Sequence, residues 1–220
     1  MRSVLMDWLV QVHHRFGLLP ETLFLTVNYI DRFLSLKIVS IGKLQLVGAT
    51  AILIASKYEE INCPSLQEIV YMVDSGYTME EILKAERFML SMLQFELGWP
   101  GPMSFLRRVS KADDYDLETR TLAKYFLEVT IMDERFVGSP PSFLAAGAHC
   151  LARHLLKKGY WVCLLSVHRC RWILIPHLDA GPHPLLGLYL QPAQAFGGVD
   201  PRVLRISAEA SRRRLRQVLG

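Results

Sequence analysis

Apolar side chains at Met1, Leu5, Trp8, Val12 and Phe16 recur at helical spacing, with Val4 and Leu9 widening the stripe. The spacing predicts an amphipathic helix over residues 1–16, ended by Gly17 and Pro20. A second helix is predicted over about 21–36, with Leu23, Val27, Ile30, Phe33 and Leu34 as its apolar positions. Ser40 suits the N-cap of a third, roughly 43–58, whose stretch 47–56 is apolar or small on every face. Such a helix has to be surrounded by others, and its small residues let neighbouring backbones come close. Two capping boxes follow: Ser65-Leu66-Gln67-Glu68 opens a short fourth helix, and Thr78-Met79-Glu80-Glu81 opens a fifth that runs to about Leu93. Gly98-Trp99-Pro100-Gly101-Pro102 forbids helix and separates two halves. Beyond it the pattern predicts helices near 103–109, from about 116 to 133, and one opened by Ser139-Pro140-Pro141 and reaching Leu156. No segment alternates with period two, so the fold class is all-α.

The halves echo one another. Tyr29-Ile30-Asp31-Arg32-Phe33 matches Met132-Asp133-Glu134-Arg135-Phe136, and the small-residue helix ending at Ala55 matches Phe143-Leu144-Ala145-Ala146-Gly147-Ala148. A duplicated five-helix unit of about 100 residues follows.

Charge changes the picture more than composition does. The formal net charge is +4. Residues 162–220 hold Arg169, Arg171, Arg202, Arg205, Arg212, Arg213, Arg214 and Arg216 against Asp179, Asp200 and Glu209, a balance of +5 that leaves −1 for residues 1–161. The basicity belongs to the tail, which argues against a nucleic-acid surface on the body. No apolar run approaches the ~20 residues of a membrane span, and no signal peptide is visible. Cys63, Cys150, Cys163 and Cys170 form no C-x-x-C pair, the pattern of reduced thiols in a cytosolic or nuclear protein. Cys150 and His154 share a helix face, but two ligands do not make a metal site, so neither metal nor cofactor is expected. The adjacent carboxylates Glu59-Glu60 and Asp113-Asp114 point apart, and His13-His14 reads as helix surface. With no nucleophile–base–orienter set, an enzyme is not expected.

Met1-Arg2-Ser3-Val4-Leu5-Met6-Asp7-Trp8-Leu9 resembles the first helix of the cyclin box. The resemblance continues in order through 21–34, then Gly42-Lys43-Leu44-Gln45-Leu46-Val47-Gly48, then Ala55-Ser56-Lys57-Tyr58-Glu59-Glu60. Tyr125-Phe126-Leu127-Glu128 and 140–146 are similar to the second box of mitotic B-type cyclins. The resemblance implies a cyclin fold: a five-helix N-terminal box at 1–97, a partial C-terminal box at 98–161, and a divergent, poorly ordered tail at 162–220. It also implies a regulatory subunit that binds and activates a cyclin-dependent protein kinase, helps recruit its substrates and controls mitotic entry, located in the nucleus and cytoplasm. By correspondence Lys57 and Glu86, flanked by Ile54, Tyr58, Leu90 and Phe95, form the kinase face. For Ile54 and Leu90 a core role stands beside that reading. Met1, Leu5 and Trp8, with Gln45, match the patch that docks short arginine-x-leucine-type peptides of substrates or inhibitors. Gln11 stands where the family often carries an acid.

The chain begins inside the first helix of the box, so the family's preceding helix and destruction-box segment are expected to be missing. After Trp161 the helical period fades, five prolines gather and arginine replaces lysine entirely, a shift that suggests a frameshifted or retained-intron reading. The competing readings are a cyclin-fold adaptor or transcription-factor-like protein, and a non-functional cyclin fragment.

Overall fold

A computed structural model of the chain describes residues 1–74 and 76–158. The arginine-rich segment 162–220, and the expectation that it is poorly ordered, lie outside the described residues.

Among the described residues there are eight α-helices and no strand: α1 (Arg2–Phe16), α2 (Pro20–Leu36), α3 (Leu44–Glu59), α4 (Leu66–Met72), α5 (Met79–Met92), α6 (Pro102–Ala112), α7 (Leu117–Met132) and α8 (Pro141–Leu155). Local chemistry sets their ends. Gly17, at φ 62°, closes α1 in the left-handed conformation that glycine adopts without steric cost. Proline occupies the first turn of α2, α6 and α8, where no donor is lost. Both expected capping boxes form, Ser65 with Glu68 and Thr78 with Glu81. Asp116 caps α7 by accepting from the Thr119 N–H.

Two local expectations fail. Ser40 does not cap α3. It heads a 3-10 turn, Ile41–Lys43, and contributes its carbonyl rather than its hydroxyl. His13 is not surface. The buried side of α1 is Leu5, Met6, Leu9, Val12 and His13, so the stripe is turned relative to the apolar pattern and leaves Met1 and Val4 in solvent. The imidazole goes inside because its Nε2–H donates to the Leu19 carbonyl at 2.9 Å, satisfying a group at the start of α2.

Helix α3 is the axis of the first half. Every residue from Val47 to Ser56 is buried, and α2, α5, α1 and α4 pack around it. In the second half α8 takes the same position against α7 and α6, burying Ala145, Ala148 and Ala152. The apolar core is continuous across both halves, because α1 packs on α7 and α2 on α6.

Polar groups fix the register of this core. The Arg2 guanidinium donates to both carboxylate oxygens of Asp31, each at 2.8 Å, and through its third nitrogen to the Ile131 carbonyl at 2.7 Å. One side chain therefore ties α1 to α2 and to α7. Tyr29, fully buried, donates to the Leu97 carbonyl at 2.9 Å, and Arg32 donates to the Glu96 carbonyl at 2.8 Å, which holds the inter-half linker on α2. Desolvation pushes the Tyr29 phenol well above its ordinary value, so it stays a donor at every working pH. In the second half Asp113 accepts from His149 Nε2 at 2.9 Å and from Arg153, joining α6 to α8.

Removing Arg2 would leave the Asp31 carboxylate, only 19% exposed, without its cation. Arg2→Ala is expected to lower unfolding stability by about 2–4 kcal/mol, and Arg2→Lys to recover only part of it, because an ammonium lacks the planar fork. Urea denaturation followed by circular dichroism measures both.

Acid should weaken the fold through its histidines. Burial pushes the His13 and His149 imidazoles below 6.5, against partial opposition from the Leu19 carbonyl and from Asp113 respectively. The unfolded chain therefore takes up protons near pH 6.5 that the folded chain refuses. Their contribution is complete above that pH and is lost as pH falls below it. The urea midpoint is expected to fall between pH 7 and about 5.5, and His13→Gln to flatten that fall.

Candidate functional site

The first face lies where the end of α3 meets the middle of α5. Lys57, in the last turn of α3, donates from Nζ to Glu86 Oε1 at 2.6 Å. Glu86 is 8% exposed, while the lysine side chain is half in solvent. The pair is thus unsymmetrical: a buried carboxylate fixes a partly free ammonium, and the free side of that ammonium is available to a partner. An ordinary surface ion pair has no such anchor.

Around it the predicted residues divide. Tyr58 and Phe95 are exposed aromatics, Phe95 at 69%. Phe95 is placed there by the backbone: Gln94 and Phe95 follow α5 with φ of 55° and 57°, and the Phe95 N–H returns to the Leu90 carbonyl at 3.0 Å. Two consecutive non-glycine residues in the left-handed region cost free energy, and here they terminate the helix and turn a large ring outward. Leu90 is partly buried against the core. Ile54 is 3% exposed and belongs to the core, so it can support this face from behind but has no surface to offer. Ile61, fully exposed just past α3, was not among the candidates; no periodicity marks an apolar residue in a loop.

The second face is the seam between α1 and α3. A Cβ on Gly48 would meet Leu5 Cδ1 at 2.9 Å and Trp8 Cζ3 at 3.2 Å, so the glycine is what lets the two helices approach. Leu5 is 7% exposed and forms the floor; Trp8 and Gln45 are partly buried along the sides; Met1 stands clear at 71%. Gln45 lies one turn before Gly48 on the same side of α3. Gln11 donates to the Asp7 carboxylate at 2.9 Å, so a negative charge stands beside the residue that departs from the family's acid.

Sequence reasoning missed Glu60. Its Oε1 accepts from the Leu19 N–H at 2.7 Å and the Thr22 hydroxyl at 2.5 Å, pinning the end of α3 to the start of α2. The neighbouring Glu59 points elsewhere, as adjacent carboxylates do, and stays exposed. Among the described residues no group of His, Cys, Asp and Glu is arranged to hold a metal, and no helix is long and apolar enough to cross a membrane. Burial pushes the Cys63 and Cys150 thiols up.

Comparison with known proteins bears on the family and the fold. The family described as cyclin, N-terminal domain matches residues 1–98, and the one described as cyclin, C-terminal domain matches residues 100–168. G2/mitotic-specific cyclin-4 of Candida albicans is 70% identical over 161 residues, covering 73% of this chain and 33% of that protein. G2/mitotic-specific cyclin cdc13 of Schizosaccharomyces pombe is 59% identical over 161 residues, again 73% and 33%. Among solved structures, a viral cyclin from herpesvirus saimiri superposes with a TM-score of 0.68 at 20% identity, covering 74% of each chain. The yeast RNA Pol II CTD kinase CTDK-1 complex gives 0.64 at 13%, covering 73% of this chain and 56% of that one. The chain belongs to the cyclin family, and its sequence relatives are G2/mitotic-specific B-type cyclins. It spans about a third of the length of these curated relatives.

Gly48→Ala tests the seam. Overpacking against Leu5 and Trp8 costs about 1–3 kcal/mol, offset by the ~1 kcal/mol better helix propensity of alanine. A net loss of stability is expected, together with a displaced Trp8 indole resonance in a heteronuclear NMR spectrum.

Proposed function

We propose that this chain is a regulatory subunit that binds and activates a cyclin-dependent protein kinase, helps recruit its substrates, and thereby controls mitotic entry. The observation that carries the reading is the Lys57–Glu86 pair, formed in advance on rigid helices beside the exposed rings of Tyr58 and Phe95. A kinase of this class must bring a strand lysine and a helix glutamate together before phosphoryl transfer can proceed. A partner holds that arrangement by making contacts that exist only in the active state, which is a shift of population. A face that does not rearrange on binding delivers more of its contact energy to that shift. The α1–α3 seam offers a separate, partly apolar groove with Gln45 to fix a peptide backbone, which suits short arginine-x-leucine-type docking segments. Work of this kind places the protein in the nucleus and cytoplasm.

Two double variants separate the faces. Lys57→Ala with Glu86→Ala is expected to abolish capture of the kinase in a pull-down and the associated phosphorylation, with helical content retained. Leu5→Ala with Trp8→Ala should weaken arginine-x-leucine peptide binding far more than kinase capture, with a folding control, since losing a large core side chain costs ~3–5 kcal/mol. Unchanged kinase capture by the first variant would sink the assignment.

A further inference from the structure

The end of α2, the loop that leaves it and one flank of α5 meet at an edge that neither face above includes. The rings of Phe33 on α2 and Phe88 on α5 pack edge to face, with centroids 6.0 Å apart. Phe33 is buried and seats the contact in the core, whereas Phe88 stays 46% exposed. Leu36 stands at 57% and Ile38 at 98%. Phe88 follows Glu86 by two residues, about 200° around the helix, so it sits on a different flank of α5 from the Lys57 pair.

The chain between α2 and α3 runs extended. Lys37 leaves α2 at φ −138° and ψ 127°, and Ser40 stands at −67° and 148°. Val39 packs against the core while Ile38 stands in solvent, the alternation of a strand. The Tyr77 hydroxyl donates to the Gly42 carbonyl at 2.7 Å, tying the far end of this loop to the approach to α5. Among the described residues the backbone N–H and carbonyl groups of Ile38 and Val39 meet no backbone partner. An unpaired edge of this kind is a template for another chain.

Charge narrows the occupant. Lys37 flanks Ile38, and Lys84 lies one turn before Phe88 on the same side of α5. Both are exposed, and neither enters an ion pair among the described residues. Glu81, on that side of α5, is engaged in the Thr78 capping box, and Glu80 lies about 80° further round the helix from Phe88. Lysines repel a second copy of the same edge and attract carboxylates. Strand pairing needs donors and acceptors in register, which an extended peptide supplies and an anionic lipid surface does not.

We propose that residues 38–40, flanked by Leu36 and Phe88, form a docking edge for an acidic, apolar segment of a partner protein bound in extended form, its carboxylates paired with Lys37 and Lys84. The edge shares no residue with the kinase face or the peptide seam, and its test needs no kinase.

The full chain, labelled with ¹⁵N, is titrated with acetyl-Glu-Val-Glu-Val-Glu-amide while the backbone amide resonances are followed; Ile38→Val assigns the Ile38 signal. The Ile38 and Val39 amides should shift, and the analogue with glutamine in place of glutamate should bind roughly tenfold more weakly, two exposed charge pairs being lost. Lys37→Glu with Lys84→Glu, both at exposed positions that leave the fold intact, should weaken the acidic peptide by at least that factor, and Ile38→Ser should weaken both peptides. Equal response to the glutamine peptide, indifference to the double lysine variant, a shift of the Trp8 indole without one at Ile38, or no shift at millimolar peptide would each overturn the proposal. So would shifts at Ile38 that follow protein concentration, which would mark a self-contact, or that appear with phosphatidylglycerol vesicles and not with peptide.

Discussion

The Arg2 guanidinium is the constraint on which the rest of the arrangement depends. From α1 it reaches two other helices, and each gives a different acceptor: the carboxylate of Asp31 on α2 and the carbonyl of Ile131 on α7. Apolar packing is non-directional, so it brings helices together without fixing how far one slides along another. A planar cation with donors in a fixed fork does fix it. With α1 locked to α2 and α7, Gly48 can tolerate an approach of Leu5 and Trp8 so close that an ordinary Cβ would collide. Among the described residues the second half shows no copy of this lock. Asp133, in the segment that echoes the one holding Asp31, pairs with Arg135 two residues away, and the α6–α8 register is set instead by Asp113 with His149 and Arg153.

Much of the fold was legible because the signals were local. Capping boxes, the proline that opens α8 and the small-residue run of α3 each act over a few residues, and each is found where the pattern put it, whereas Pro20 and Pro102, read as breaks, are the first residues of α2 and α6. What stayed illegible acts over distance. No spacing links Arg2 to Asp31, or Glu60 to Leu19 and Thr22, since those pairs depend on how packed helices align. His13 was misplaced for the same reason: a histidine next to another histidine on a helix looks solvated until a carbonyl from the next turn meets it. The rotation of the buried stripe of α1 follows from it, because a side chain that brings its own hydrogen-bond partner inside can displace an apolar one from the core.

The candidate site was legible in a coarser sense. The resemblance named Lys57, Glu86, Tyr58 and Phe95, and geometry supplies what the names could not: that Glu86 is the buried member, and that Phe95 owes its exposure to a left-handed pair of residues. It also separates Ile54 from the others, since apolar periodicity cannot tell a core position from a contact position and only burial can.

Tyr58 joins the ion pair to the aromatic part of its face. It follows Lys57 on the last turn of α3, whose residues from Val47 to Ser56 are all buried, and it lines a cavity together with Phe24 and Trp99. A buried helix transmits force as a rod, because close packing leaves it no room to deform. Its terminal turn is pinned to α2 by Glu60, and the Tyr58 hydroxyl lies close to the linker at Gly98 while half of the residue stays in solvent. On the proposed reading, a kinase that packs on Lys57 also meets the adjacent Tyr58 ring, so the ion pair and the exposed aromatic act as one surface.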